Sequence, residues 1–524
     1  MQLARIVAIG VLIPGATLAQ RAPARPAESA SSNPLHHRIL TQVPEAQRLF
    51  DEGLTLHYGF NRQGARRSFA TAVRIDPSAA MLHVGLALSF GPNLNTESTP
   101  ADANAGCAAG RRGAALARQS DERAYADAMV VRNCAGVSFD TATEYAIAMG
   151  TLFHERPDDP DAATLYADSL MMLNPRTGEQ NAELVGVLEL VLRRWPDHPG
   201  ANHYYIHAVE GSASPRRGLA SARRLETLVP TVGHLLHMPS HIHTRLGDHP
   251  AAIASNERAA AADRAYLHRH PGDTEQMMSF EHDIESLAAA LGSAGQFARA
   301  RQAAAQSLPG QGHAPGGTAH ASSFSTLQVL VLLRFFKWDD VVQSPLPSPG
   351  APALALHHFA RASAHAQLGR STPADTERRS FEREAAAAPA GAMYRSNRWR
   401  DVLQVYRAML DARVAQSRGD SVAAVGAWRR AVAAQDRLVY HEPAPVYYPV
   451  RESLGAALYR DRLYAEARRV FEADLARNPR NGRSLFGLWK TLVALSRPAD
   501  AEAARRRFQE AWVASDVTLA LDDY

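Results

Sequence analysis

The stretch EAQRLFDEGLTLHYGFNRQGARRSFATAVRIDPSAA, residues 45–80, decides the fold. The residues that follow Gly53 by 12, 16, 19 and 24 positions are Ala65, Phe69, Ala72 and Pro77. Small residues let two antiparallel helices approach closely, and a phenylalanine fills the gap to the next helical pair. Proline ends the second helix because its ring cannot continue one. The stretch therefore predicts a helical hairpin that stacks on further hairpins.

The same spacing returns later in the chain. Gly247 is followed by Ala259 and Pro271 at the same offsets, and a C-terminal copy contains Gly455, Ala467, Phe471 and Pro479. Weaker copies lie at 287–304 and 419–434, and another ends at Pro230. These residues resemble the tetratricopeptide repeat (TPR) superfamily over most of residues 45–510. The resemblance implies an all-α, right-handed α-solenoid of TPR-like helical hairpins.

Two motifs carry a narrower resemblance. NHYYIHAVE at 202–210 and GHLLHMPSHI at 233–242 are similar to motifs of a group of bacterial TPR proteins that have no assigned activity. This similarity implies a shared set of buried polar residues, and it implies no particular reaction.

The 524-residue chain is too long for one ordinary core and divides into five predicted segments. Residues 1–19 begin with a charged residue, continue with an apolar run and end in small residues, which is the pattern of a signal peptide. Residues 20–40 are predicted to form a disordered linker. A TPR solenoid with a histidine-rich centre follows at 41–300. Helices with Gly/Pro-rich loops at 307–323 and 343–352 occupy 301–400, and a second TPR solenoid occupies 401–515. The proline-rich segment 441–455 is predicted as an extended strut packed on the last repeats.

Composition limits the partners and the compartment. The net charge of +4 is small for this length, and no long basic run is present, so no nucleic-acid partner is expected. No segment after the signal is long and apolar enough to span a membrane. The predicted export places the protein in the periplasm or outside the cell, where a disulfide is permitted. A predicted hairpin of 103–118 with 121–134 would bring Cys107 and Cys134 together, and a bridge is slightly favoured over two free thiols.

Histidines at helical spacing mark the candidate site. His203 and His207 are four residues apart and share one helix face, which Glu210 extends. His234, His237 and His241 form a second stripe, although Pro239 predicts a kink or a helix start within it. His282 and Asp283 belong to a third helix. In a TPR array the first helices of successive repeats lie side by side, so these three stripes are expected to converge, whereas His243 is expected to point elsewhere.

Two functions of different classes fit this pattern. The first is an exported binding protein whose concave groove holds a peptide, protein or small molecule, with Asn202, Tyr205 and Arg245 among the groove residues. The second is a metal-dependent enzyme of hydrolase or oxygenase type. Its divalent zinc, copper or iron would be ligated by His203, His207, His234, His237, His241 and His282. Glu210 would then serve as catalytic base or as a further ligand. Convergence of the histidines in a closed pocket would favour the metal, and an open groove would favour the binding protein.

Overall fold

A computed structural model describes residues 34–134, 139–173, 182–307, 326–347 and 351–524. The predicted signal peptide, most of the predicted linker and nearly all of the 307–323 loop lie outside the described residues, as does part of the loop at 343–352.

Helices account for almost all regular structure. In the first half of the described chain they are α1 Pro44–Tyr58, α2 Arg62–Ile75, α3 Ala80–Phe90, α4 Pro100–Leu116, α5 Ser120–Cys134, α6 Phe139–Glu155, α7 Pro160–Leu173, α8 Ala182–Arg194, α9 Pro199–Glu210, α10 Leu219–Leu228, α11 Gly233–His237, α12 Pro239–Leu246, α13 His249–Arg269 and α14 Thr274–Ser293. The second half contains α15 Phe297–Ala304, α16 Leu327–Arg334, α17 Trp338–Gln343, α18 Ala351–Gln367, α19 Ser371–Ala387, α20 Trp399–Ser417, α21 Ser421–Gln435, α22 Arg451–Arg460, α23 Tyr464–Arg477, α24 Gly482–Ala494 and α25 Pro498–Ala511. Within the described ranges, the paired strands are the two-residue β1 Met393–Tyr394 and β2 Asn397–Arg398.

The packing of the repeat residues confirms the predicted fold class. The ring of Phe69 lies between α1 and α3, so close that a Cβ added to Gly53 would lie 2.7 Å from it and one added to Gly85 only 2.4 Å. Phe471 occupies the same place between Gly455 and Gly487. Consecutive helices pair as antiparallel hairpins along the chain. The protein is therefore an all-α solenoid of TPR-like helical hairpins.

The end of the predicted linker is folded against the first repeats. Leu35 and Ile39 are buried in the N-terminal apolar core. Nδ1 of His37 lies 2.8 Å from a carboxylate oxygen of Asp161 at the start of α7. Residues 34–40 thus differ from the predicted disordered linker, because two buried apolar side chains and the ion pairs of His36 with Asp51 and of His37 with Asp161 fix them.

The predicted helical hairpin around the cysteines is confirmed. Its two helices are α4 and α5, and a disulfide joins Cys107 to Cys134.

The C-terminal repeats pack back onto the middle of the chain. Gly247, in the left-handed conformation after α12, lies against the carbonyl of Pro479, where a Cβ would clash. The carboxylate of Asp516 accepts hydrogen bonds from the backbone N–H groups of Phe297 and Ala298 at the start of α15. This arrangement brings the irregular segment 436–450 against the histidine-rich centre. No helix in the described ranges is long and apolar enough to cross a membrane.

Candidate functional site

Four short stretches of helix bring the histidines together. α9 contributes His203 and His207, α11 contributes His234 and His237, α12 contributes His241, and α14 contributes His282. The predicted break is present: α11 ends at His237 and α12 begins at Pro239. Proline suits a first helical position because the N–H it lacks would have no partner there. His234, His237 and His241 still lie on one face across this break, because Met238, the residue between the two helices, keeps right-handed helical dihedral angles.

The first group of histidines joins α9 to α11. Nε2 of His203 lies 3.1 Å from Nε2 of His234. The His203 ring centroid is 4.8 Å from those of both His207 and His234. Phe60 covers this group, with its ring 4.5 Å from His203 and stacked 5.1 Å from His234. We call His203, His207 and His234 the α9 triad.

The second group joins α11, α12 and α14. Nε2 of His237 lies 2.8 Å from Nε2 of His241. The His237 ring centroid is 4.7 Å from those of both His241 and His282. We call His237, His241 and His282 the α12 triad. In each triad the three potential ligand atoms lie within 4.8 Å of one another.

Four of the six imidazoles are anchored through Nδ1 to groups that only accept hydrogen bonds. His203 donates to the backbone carbonyl of Tyr58 at 2.6 Å, and His237 donates to Oδ1 of Asn256 at 2.6 Å. His207 and His241 donate to the two different carboxylate oxygens of Glu210. A carbonyl or carboxylate oxygen offers no proton, so each of these Nδ1 atoms carries the hydrogen.

The hydrogen bonds at Nδ1 determine whether Nε2 of each ring carries a hydrogen or a lone pair. A neutral imidazole with its hydrogen on Nδ1 has a lone pair on Nε2. The anchored rings therefore turn Nε2 lone pairs towards the interior of the cluster. Nε2 of His207 is buried and has no hydrogen-bond partner among the residues described. Ligating histidines in metalloproteins are held in the same manner, through the nitrogen that does not bind the metal.

Burial keeps most of the cluster uncharged. It lowers the pKa values of His203, His234 and His282 well below their usual range, and neighbouring histidines add to the effect. Burial and the charge of His241 lower the pKa of His237 to about 3. Neutral imidazole is the form that binds a metal.

The pair formed by Glu210 and His241 behaves differently. Burial lowers the pKa of His241, but the Glu210 carboxylate overcomes that effect and raises it. Burial likewise raises the pKa of Glu210, but the His241 and His207 charges outweigh it and hold the pKa well below its usual range. Glu210 is therefore an anion whose two oxygens both orient imidazoles.

Residues from the C-terminal half lie against the site. The ring of Tyr440 lies 5.3 Å from the guanidinium of Arg245, and its hydroxyl donates to Glu442. Burial raises the pKa of Glu442 to about 7, opposed by the charge of His241 and assisted by that of Glu210. Arg395, in the turn between β1 and β2, pairs with Glu285 of α14. The side-chain amide of Asn397 donates to the backbone carbonyl of Val439 at 3.0 Å and accepts from its backbone N–H at 2.8 Å. These two hydrogen bonds fix the start of the 436–450 segment.

The remaining predicted residues lie around the cluster and make other contacts. The amide of Asn202 donates to the carbonyls of Pro196 and His198, and the Tyr205 hydroxyl donates to Glu189. Arg245 donates to the carbonyls of Glu210 and Ser212 and so caps the end of α9. Their predicted role as groove residues stays a prediction.

Two other residues of the histidine stripes are also placed. His243 points away from the cluster, as predicted, with Nε2 at 2.9 Å from Glu226. Asp283 is fully buried behind His237, with Oδ1 3.4 Å from Nδ1. Burial and the nearby Asp263 raise its pKa well above the usual range.

Comparison with known proteins concerns the fold alone. No protein-family model matches the chain, and no curated protein matches it. Among solved structures, a human IFIT1 dimer with m7Gppp-AAAA is 11% identical, with a TM-score of 0.32 and with 90% of this chain and 91% of that chain covered. Yeast Tom70 is 11% identical, with a TM-score of 0.30 and with 91% and 93% covered.

Proposed function

We propose that the histidine cluster is a metal centre that holds a transition metal of the zinc, copper or iron class. The observation that carries the proposal is the orientation of the imidazoles. His203, His207, His237 and His241 are each anchored at Nδ1, so that in its neutral form each ring directs an Nε2 lone pair towards its neighbours. Imidazole nitrogen is an ordinary ligand of all three metals.

The depth of the cluster favours a metal over an open groove. His203 and His237 are fully buried, and His234 and His241 nearly so. A groove that binds peptides needs side chains that solvent can reach, whereas a metal site needs ligands in a shaped and largely dry cavity. A peptide, protein or small-molecule ligand stays a prediction for the rest of the concave surface.

Glu210 has a different role in this proposal from that of a catalytic base. Both of its oxygens accept hydrogen bonds from ligand imidazoles, so it sets their tautomer and orientation. We infer that it supports the ligands instead of transferring a proton.

A metal-dependent enzyme is the second candidate, and Glu442 is the observation that favours it. Three histidines leave a coordination position open on an ion, as catalytic metals require. Glu442 lies on the 436–450 segment, close enough for the charges of His241 and Glu210 to act on its pKa, and a carboxyl group there could exchange a proton beside the ion. A hydrolase or an oxygenase is compatible with that arrangement.

Export is proposed together with this function. The N-terminal signal pattern supports it, and so does the disulfide between Cys107 and Cys134, which is typical of oxidising compartments.

Metal content tests the proposal directly. Untagged protein is purified without chelator, incubated with zinc, copper or iron, desalted and measured by elemental mass spectrometry. His241→Ala should lose metal because it removes an anchored ligand. His243→Ala is the matched control, since it lies on the same helix and contacts Glu226 outside the cluster. Absence of bound metal after all three incubations, or equal loss in both variants, would refute the proposal.

A further inference from the structure

The two triads are close to being copies of each other. In the α9 triad the ring centroids are separated by 4.8, 4.8 and 6.2 Å, with His203 as the central ring. In the α12 triad they are separated by 4.7, 4.7 and 6.5 Å, with His237 as the central ring. The ring centroids of the two triads therefore have nearly the same spacing.

The anchors repeat in the same way. The central ring of each triad donates through Nδ1 to a neutral oxygen: the carbonyl of Tyr58 for His203 and the amide of Asn256 for His237. One further ring of each triad, His207 or His241, donates to its own oxygen of Glu210. A single carboxylate thus joins two equivalent halves, and each half has two anchored imidazoles.

The spacing within a triad suits one ion. Two nitrogens bound to one metal at about 2.0–2.1 Å lie roughly 3.3–3.6 Å apart. The Nε2 atoms are 3.1 Å apart in the pair of His203 and His234, and 2.8 Å apart in the pair of His237 and His241. To reach the separation in a metal site, the two nitrogens of each pair must move apart by less than about 1 Å.

The two triads also contact each other. The rings that face each other across the two triads are His207 and His241, with centroids 5.7 Å apart, and His234 and His237, with centroids 5.8 Å apart. Among the described residues, each triad has its ligand atoms within 4.8 Å of one another, and so does a third set, His207, Glu210 and His241, which contains one ring of each triad. In that third set Glu210 already accepts the Nδ1 hydrogens of both rings, so the two sets made of imidazoles alone are the triads.

Charge indicates which ions fit. All six candidate ligands are imidazoles, and Glu210 is the carboxylate hydrogen-bonded to them. Two divalent ions would place four positive charges in a buried site, whereas two monovalent ions would place two, and burial of uncompensated charge is costly. Copper(I) is monovalent, and imidazole is an ordinary ligand of copper. We propose that the centre holds two copper(I) ions, one on the α9 triad and one on the α12 triad.

This proposal rests on the proposed metal function, and stoichiometry separates the two. Copper(I) is titrated without oxygen into the full chain against a colorimetric copper(I) chelator. The wild type should bind two ions per chain. His234→Ala and His282→Ala should each bind one, because each removes a ligand from a different triad and neither residue is one of the four Nδ1-anchored rings. His243→Ala should still bind two.

Each other outcome has a defined meaning. One ion in the wild type, lost in both single variants, overturns the two-ion proposal and leaves the metal function standing. Two zinc ions without copper binding overturns the choice of copper. Absence of any bound metal overturns both proposals. Helical content is checked by circular dichroism, and His234→Gln or His282→Gln replaces an alanine variant that does not fold.

Discussion

Glu210→Gln is the change that tests the orientation argument most sharply. The glutamate accepts one N–H from His207 and one from His241, each at its own oxygen. Glutamine has nearly the same shape but only one accepting oxygen, and its NH2 group donates. One of the two imidazoles would then face a donor, and its hydrogen would have to move from Nδ1 to Nε2. That movement removes the lone pair that the ring offers to a metal.

The expected magnitude follows from the role of such anchors. Loss of an outer-shell partner of a ligating histidine costs about 10–100-fold in metal affinity, which corresponds to about 1.4–2.8 kcal/mol. Glu210 anchors two ligands, so we expect the effect at the upper end of that range. Removal of one negative charge from a site that takes up cations acts in the same direction.

The assay is competition for metal against a chelator of known affinity, at fixed pH, for the wild type and two variants. Glu226→Gln is the matched control, because it alters a glutamate–histidine pair of the same kind with a histidine outside the cluster. Its metal affinity should equal that of the wild type. Wild-type affinity in Glu210→Gln, or an equal loss in Glu226→Gln, would refute the reasoning.

Three further predictions concern the stability of the fold. Gly53→Ala should lower the free energy of unfolding by about 1–3 kcal/mol because its Cβ would lie 2.7 Å from Phe69. Gly186→Ala, which has open space around it, should raise the free energy of unfolding by about 0.5–1 kcal/mol. Urea unfolding measures both variants, and equal effects would contradict the packing argument. Reduction of the disulfide should lower the free energy of unfolding by about 2–4 kcal/mol, measured by melting with and without reductant, and an unchanged melt would contradict it. Burial lowers the pKa of His37, but Asp161 outweighs burial and raises that pKa to about 9 from an ordinary 6.5. The protonated histidine therefore contributes its full stabilisation below pH 6.5. Up to about 3 kcal/mol of the free energy of unfolding should be lost as the pH rises through 9. His37→Gln should flatten that part of the pH profile, and an unchanged slope would contradict the assignment.

Local sequence determined the fold because the repeat positions act on neighbours. Gly53, Phe69 and Pro77 fix the distance between two helices and the end of the second, all within one hairpin. The same reasoning located the helix break at Pro239, which is a property of the proline itself. The ordered segment at 34–40 was not predicted, because the ion pair that holds it joins His37 to Asp161, more than a hundred residues away.

Part of the candidate site could be predicted for the same reason. Helical periodicity gives the shared face of His203 and His207, and the stacking of repeats predicts that the histidine stripes converge. Glu210 was expected on the same face as His203 and His207, but the anchor of His203 could not be predicted, since Tyr58 contributes a backbone carbonyl from a repeat 145 residues away. The approach of Glu442 also depends on how the C-terminal half folds back, and no local pattern specifies that.

The hydrogens of the cluster are the basis for proposing a metal site instead of a packed core. Nε2 of His237 and Nε2 of His241 lie 2.8 Å apart while both Nδ1 hydrogens are used elsewhere, so two lone pairs face each other unless a cation lies between them. One proton satisfies that pair, and the Glu210 carboxylate, which raises the pKa of His241, favours that proton.

The same proton does nothing for His207, whose Nε2 is buried without a partner among the described residues. A buried polar atom left unsatisfied costs about 1–3 kcal/mol, and an apolar side chain in that place would avoid the cost. A metal ion on the α9 triad would satisfy this nitrogen, and one on the α12 triad would satisfy the facing pair. This pattern of hydrogens is the physical basis of the proposed metal ligation.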